Sequence, residues 1–305
     1  MSTFRHFHSP DFARTLKNGS ILVWGKVGQV EPPYLVMPLT VEPNKPRLCH
    51  DERFVNLWIV DKPFKLDTLK EVLRMVGKNT LLSSLDDKSG YDHVRLHMKS
   101  RKYFGFQFGG WYFVYATILF GFKLSAYVYQ VIGLTATSYC RKLGVPCLQY
   151  IDDRLVGEWL VALGGCIIAA MKGLYIVCEV LIRLGYFLAI SKCIFEPSKH
   201  ILFLGMILDS DQLAFLLPLD KKERFSLLRE NILAREFVDL KTLQRFAAVP
   251  GSRLYSREVN KAISLASKNS RPGKLEGKLK EEINTWRFLD DWTILCRGAA
   301  RNIYK

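Results

Sequence analysis

Tyr150-Ile151-Asp152-Asp153 sets two adjacent carboxylates at a tight turn between two apolar runs. A third, Asp86, closes the apolar run of Leu81, Leu82 and Leu85 and is followed by Lys88-Ser89-Gly90, a tract suited to phosphate. Carboxylates presented from separate strand ends are what metal-dependent phosphoryl transfer uses. Two ions held about 3.5–4 Å apart can activate an attacking hydroxyl and stabilise a leaving pyrophosphate, and Mg²⁺ favours sparse carboxylate sites that substrate phosphates complete. The dipeptide alone reads as well as a polar hairpin turn, where Asp bonds nearby backbone N–H groups. Asp86 turns it into a candidate metal site, with Asp86 and Asp152 as bridging ligands and Asp153 in support.

The elements that must carry these residues alternate between helix and strand. Pro32, Pro33, Pro38, Pro43, Pro46 and Pro63 favour extended segments and turns at the start of the chain, with one helix, over 66–76. Phe104, Phe106 and Phe108 alternate, Gly109-Gly110 supplies a two-residue turn, and Trp111, Phe113 and Tyr115 alternate back, which predicts a hairpin with an aromatic face to be covered. A helix over 121–141 is broken by Gly144-Val145-Pro146 before the run 148–156 that contains the paired aspartates. The stretch 155–190 is apolar enough to raise a membrane span. Lys172, Glu179 and Arg183 nevertheless share one helical stripe, and a span needs about 20 apolar residues, so a buried amphipathic helix is expected. Further on, 201–208 reads as a buried strand, and Phe225, Leu228, Ile232, Leu233 and Phe237 mark an amphipathic helix. Asp239 can cap a helix over 240–248, and 267–277 reads as an exposed basic loop. Helices mixed with antiparallel strands predict an α+β fold.

At 305 residues with 49% hydrophobic content the chain can bury a large core, which excludes a mainly disordered protein. A formal charge of +15 calls for an anionic partner, nucleic acid or a membrane surface, and charge alone does not choose. Between 220 and 305, 19 Lys and Arg stand against 11 Asp and Glu, so much of the surplus lies toward the C-terminus. The seven cysteines show no C-x-x-C pair and no zinc spacing, and no apolar stretch follows Arg5, His6 and His8 as a secretory signal requires. A reduced, intracellular protein, cytoplasmic or nuclear, is expected, with no membrane partner.

Three strings fall in order: Ser84-Leu85-Asp86-Asp87-Lys88-Ser89-Gly90-Tyr91, then Leu119-Phe120-Gly121-Phe122-Lys123-Leu124-Ser125, then Tyr150-Ile151-Asp152-Asp153. Upstream, Lys45 and Arg47 form a K-x-R pattern, followed by a D-x-R-x-x-N pattern at Asp51, Arg53 and Asn56. Downstream lie Lys192 and Phe203-Leu204-Gly205-Met206. This order resembles the reverse transcriptase (RNA-directed DNA polymerase) family, with a flavour of eukaryotic retrotransposons, particularly the tyrosine-recombinase (DIRS-like) type. The resemblance covers about 38–217. It implies a right-hand polymerase, with fingers and palm over 1–217 and a basic, helical thumb or connection over 218–305. It further implies that Asp86, Asp152 and Asp153 hold two Mg²⁺, Mn²⁺ being the alternative, and that Lys192 protonates the leaving pyrophosphate. Lys45 and Arg47 would grip the incoming triphosphate, with Tyr91, Phe120, Gly121 and Gln130 lining the nucleotide pocket. Tyr91 would lie beneath the sugar and reject a ribose 2′-OH. Arg53, Asn56, Gly205 and Met206 would serve primer and template.

The implied partners are an RNA template, a DNA primer, their RNA–DNA hybrid and deoxynucleoside triphosphates; the oligomeric state is open. An RNA-dependent RNA polymerase fits less well because Tyr91 and Ile151 stand where such palms want a polar residue and Gly. A two-metal nuclease leaves Tyr91 and the K-x-R segment unexplained, and Asp290-Asp291 do not make the dispersed carboxylates of an RNase H. The family usually has Leu-Pro-Phe-Gly where this chain has Ile118-Leu119-Phe120-Gly121, and a proline after the serine where it has Ser125-Ala126. Losing proline removes a backbone constraint beside the pocket. The rival reading is therefore a polymerase-derived nucleic-acid-binding protein with impaired catalysis.

Overall fold

The computed structural model describes residues 10–41, 48–160, 165–248, 257–269, 271–291 and 293–295. The chain divides into two compact units, Met1–Lys199 and His200–Lys305. The division falls before the expected 217/218 because the strands from His200 onward pair with one another and with a strand near the C-terminus.

In the first unit, α1 (Pro10–Lys17) leads into β1 (Ile21–Lys26), which runs antiparallel to β6 (Trp111–Tyr115); β6 in turn pairs with β5 (Gly105–Phe108). The expected aromatic hairpin is present. Gly109 and Gly110 both take positive φ, 56° and 81°, as the tight turn demands. Its inner face, Phe106 and Phe113, is buried with Ile21, and Phe12 of α1 packs 5.1 Å from the Phe108 ring and 5.2 Å from that of Phe113. A ribbon of β2 (Leu39–Val41) and β3 (Leu48–His50) precedes α2 (Arg53–Leu57) and α3 (Leu69–Met75). The last is the helix expected at 66–76, started by Thr68 and Glu71, whose side chains cap each other's backbone. Helices α1 and α2, with 8 and 5 residues, are too short for a periodic signal and were not expected.

The central sheet runs β7 (Cys147–Tyr150), β8 (Asp153–Val156), β4 (Leu82–Asp86), β9 (Ile194–Ser198), antiparallel throughout. Helices α4 (Ser125–Lys142) and α5 (Ile167–Arg183) pack on it and on each other. Small residues allow that approach: a Cβ at Gly173 would lie 2.6 Å from the Gly157 carbonyl oxygen. Helix α5 buries Ala170, Gly173, Leu174, Val177 and Leu181. Its charged stripe faces outward, with Glu179 2.7 Å from Arg183 and the Lys172 ammonium 3.2 Å from the centre of the Trp159 ring. Among the described residues no helix is long and apolar enough to cross a membrane.

In the second unit, β10 (His200–Phe203), β11 (Met206–Asp209), β12 (Ala214–Leu216) and β15 (Thr293–Leu295) form an antiparallel meander. The single strand expected over 201–208 is a hairpin, because Leu204 and Gly205 turn the chain at φ 47° and 79°. Helices α6 (Leu219–Leu233), α7 (Leu240–Ala247), α8 (Arg257–Asn269) and α9 (Gly277–Thr285) surround Phe225, Leu243, Phe246, Ile283 and Trp286. Two further expectations fail here. Phe237, expected on a helix, is half exposed in β13 (Phe237–Val238), since Val238 takes the core position instead. The expected loop 267–277 contains the end of α8 and β14 (Gly273–Lys274), which pairs with β13. The cap at Asp239 is present: its carboxylate accepts from the Thr242 hydroxyl at 2.6 Å and from the Thr242 N–H at 2.9 Å, which together hold its pKa below the usual value. Asp239→Ala should lower the urea midpoint; an unchanged midpoint would count against the cap.

Candidate active site

The antiparallel register sets the geometry. Asp86, the last residue of β4, lies directly opposite Asp153, the first of β8, and Asp153 opposes Tyr150 across the turn Ile151-Asp152. The Asp87 N–H donates to the Asp152 carbonyl at 2.9 Å, joining the strand end to the turn. All three predicted carboxylates therefore meet at one end of the sheet. Lys192 joins them, its ammonium 3.3 Å from each oxygen of Asp86. Burial, followed by the charges of Asp152 and Asp86, pushes Asp153 up to about 6. Asp152 is raised too, first by burial and then by Asp86 and Asp87 against its own backbone hydrogen bond. Clustered, half-buried carboxylates repel one another, and a bound cation would offset that repulsion. The donors are all oxygens, which suits Mg²⁺ or Mn²⁺. Among the described residues, the trio whose ligand atoms already lie within 4.8 Å of one another is a different one, His200, Asp209 and Asp211 in the second unit. At the first site Lys192 holds Asp86 instead.

The turn that carries Asp152 is strained. Ile151 has φ of 55°, a left-handed conformation that a β-branched residue avoids and that costs on the order of 1–3 kcal/mol. Two glutamines hold it there. Gln130 on α4 accepts from the Ile151 N–H at 2.8 Å and donates to the Gln149 carbonyl at 3.0 Å, while Gln149 donates to the Ile151 carbonyl at 3.0 Å. Gln130 was expected to line the nucleotide pocket. It is fully buried, its amide engaged with the hairpin, and so it supports the site from beneath. Gly133 on the same helix makes room for this arrangement, since a Cβ there would meet the Gln149 amide at 2.0 Å.

Beneath the carboxylates lies a buried ion pair that the sequence reading did not single out. Arg154 donates to Asp87 Oδ2 at 3.0 Å, and to Thr137 and Gln149 at 3.2 Å each. Asp87 Oδ2 also accepts from the Tyr129 hydroxyl at 2.6 Å, and Arg154 lies 5.2 Å from the centre of the Tyr186 ring. Neighbouring residues of a strand face opposite ways, so Asp153 faces the site where Arg154 faces the core. The available signal was a charge immediately after Asp86 and another immediately after Asp153, each next to an apolar run. Arg154→Met should destabilise by about 3–5 kcal/mol by stranding the Asp87 carboxylate. The double variant Asp87→Leu/Arg154→Met should regain most of that loss in urea denaturation.

Around the pocket, Tyr91 packs 4.7 Å from Phe120, centre to centre, and burial followed by the Asp152 charge raises its pKa. Phe120 is exposed and Gly121 takes φ of 92°, its backbone against the His50 carbonyl. Asn56, expected on primer or template, instead donates to the Gly121 carbonyl and accepts from the Lys123 N–H, both at 2.8 Å. With the Ser125 hydroxyl donating to the Leu119 carbonyl at 2.7 Å, these bonds constrain the loop that lacks the family's prolines. Arg53 is exposed and forks onto Asp51, holding that carboxyl down at about 2. Lys45 and Arg47 lie outside the described residues. Gly205 and Met206 belong to the second unit: the Gly205 carbonyl accepts from Lys221 at 2.8 Å, and the Met206 side chain is buried in the core.

Antiparallel strands that bring three aspartates to one end of the sheet, with helices packed on it, make an α+β fold. Foamy viral protease–reverse transcriptase in complex with double-stranded DNA superposes with a TM-score of 0.70 at 17% identity, over 93% of this chain and 48% of that one. The same enzyme in complex with an RNA/DNA hybrid gives 0.66 at 18%, over 90% and 35%. The family described as reverse transcriptase (RNA-dependent DNA polymerase) matches residues 37–208, more than half of the chain, which therefore belongs to it. The enzymatic polyprotein of Figwort mosaic virus (strain DxS) is 26% identical over 113 residues, 37% of this chain and 16% of the polyprotein. The chain thus spans less than half the length of each of these relatives.

Proposed function

We propose that the chain is a template-directed DNA polymerase, transferring deoxynucleotidyl groups to a primer 3′-OH on an RNA or DNA template. The observation that carries this reading is the register that sets Asp86 against Asp153 with Asp152 at the turn between β7 and β8, in a chain of the reverse transcriptase family. When bound, two Mg²⁺ ions supply the positive charge that the attacking hydroxyl and the leaving pyrophosphate need. Asp86, Asp152 and Asp153 would hold them. Lys192, already at Asp86, is within reach of the same site to donate a proton as pyrophosphate leaves. Tyr91, backed by Phe120, offers the flat surface on which a deoxyribose rests.

In this reading residues 1–217 are fingers and palm and 218–305 a basic thumb or connection, whose Lys and Arg hold a duplex by its backbone with steep salt dependence. An intracellular retroelement, or a gene derived from one, is the proposed source; the tyrosine-recombinase type rests on the sequence resemblance alone. Catalytic impairment is less favoured, because Asn56 and Ser125 constrain the pocket loop where proline is missing.

Primer extension on poly(rA)/oligo(dT) with Mg²⁺ should proceed, and Asp152→Asn should reduce it by about 10³-fold or more, the scale expected when a charge that acts in the transition state is lost. Extension that survives Asp152→Asn sinks the site assignment, and tight hybrid binding without extension favours the binding protein. Tyr91→Ala should admit ribonucleotides that the parent enzyme rejects, read as a rise in ribonucleotide kcat/KM with little change for deoxynucleotides.

A further inference from the structure

Helix α1 supplies none of the carboxylates, yet it is tied to the turn that follows them. Arg14 donates to Asp92 Oδ2 at 2.9 Å and to the Ser89 hydroxyl at 3.2 Å, and Asn18 donates to the same Asp92 oxygen at 3.0 Å. Ser89 and Asp92 bracket Gly90-Tyr91, and the Asp92 N–H closes the turn on the Ser89 carbonyl at 2.8 Å. Ser89 stands at φ of 53°, a left-handed conformation that a non-glycine residue keeps when its surroundings enforce it. The far side of the turn is fixed as well, since Gly90 abuts the Tyr129 ring so closely that a Cβ would lie 2.7 Å from it. Beyond the helix, the Gly19 carbonyl accepts from Arg95 at 2.5 Å, and Phe12 anchors the helix to the aromatic hairpin.

We propose that α1 is a strap that fixes the Ser89–Asp92 turn and thereby the ring of Tyr91, with Arg14, Asn18 and Asp92 as positioning residues for the choice between deoxynucleotides and ribonucleotides. The inference rests on the polymerase reading. The Tyr91 ring packs against Phe120 at 4.7 Å and Tyr129 at 5.7 Å, centre to centre, and the strap holds the turn from which it projects. Its ion pair is partly exposed, with side chains 43% and 21% accessible, so its loss perturbs the fold little while it shifts a ring. Small misplacements next to reacting groups have large kinetic effects.

The test is steady-state extension by the full chain with dTTP and with UTP on poly(rA)/oligo(dT). Arg14→Ala and Asn18→Ala should each narrow the ratio of kcat/KM for dTTP over UTP, the former by about tenfold, with melting temperatures within about 3 °C of the parent. The charge-reversed double variant Arg14→Asp/Asp92→Arg should recover part of the ratio that either reversal loses. An unchanged ratio in Arg14→Ala overturns the proposal, as does a ratio that the double variant fails to improve over both single reversals. Should the parent not extend primers, the polymerase reading fails first. Amide hydrogen exchange at Asp92 and Val94 then judges the strap: faster exchange in Arg14→Ala upholds it, and unaltered protection overturns it.

Discussion

The arrangement of this protein depends on an ion pair that no solvent reaches. Arg154 and Asp87 are buried to within a few percent, and each is the immediate successor of a carboxylate at the site. A charge in the interior is tolerated when it is matched and its remaining hydrogen-bonding capacity is used, and here Tyr129, Thr137 and Gln149 use it. A slip of β8 against β4 by one residue would turn Arg154 to the site and Asp153 to the core. The pair penalises that slip far more heavily than apolar side chains would. The geometry of the candidate site and the electrostatics of the core are thus two faces of the same strands.

The strained turn at Ile151 depends on the same network. Gln149 serves both, accepting from Arg154 and donating to the Ile151 carbonyl. Helix α4 contributes Gln130, Gly133 and Thr137 from one face, so the helix acts as a rigid bracket behind the hairpin. Such strain is stable only where surrounding contacts over-determine it.

Much of this was legible in the residues. Asp86, Asp152 and Asp153, the aromatic hairpin, and the Asp239 cap follow from local patterns that need no knowledge of distant contacts. Less legible were polar side chains with two available uses. Gln130 and Asn56 could face a nucleotide or bond the backbone, and the register of partners 19 and 65 residues distant decided for the backbone. The Asp87–Arg154 pair left no local trace because it spans 67 positions of sequence. Phe237 and 267–277 failed for a related reason: the two-stranded pairing of β13 with β14 is too short to leave a periodic trace.

The bond from Asn56 to Gly121 bears on how such a chain ages under mutation. Proline confers rigidity locally and survives any change elsewhere, whereas a loop held by a side chain from α2 keeps its shape at the discretion of a distant codon. The shape of 118–126 thus depends on Asn56 from outside the segment as well as on Ser125 within it, so a change at position 56 reaches the pocket wall from a residue outside the pocket.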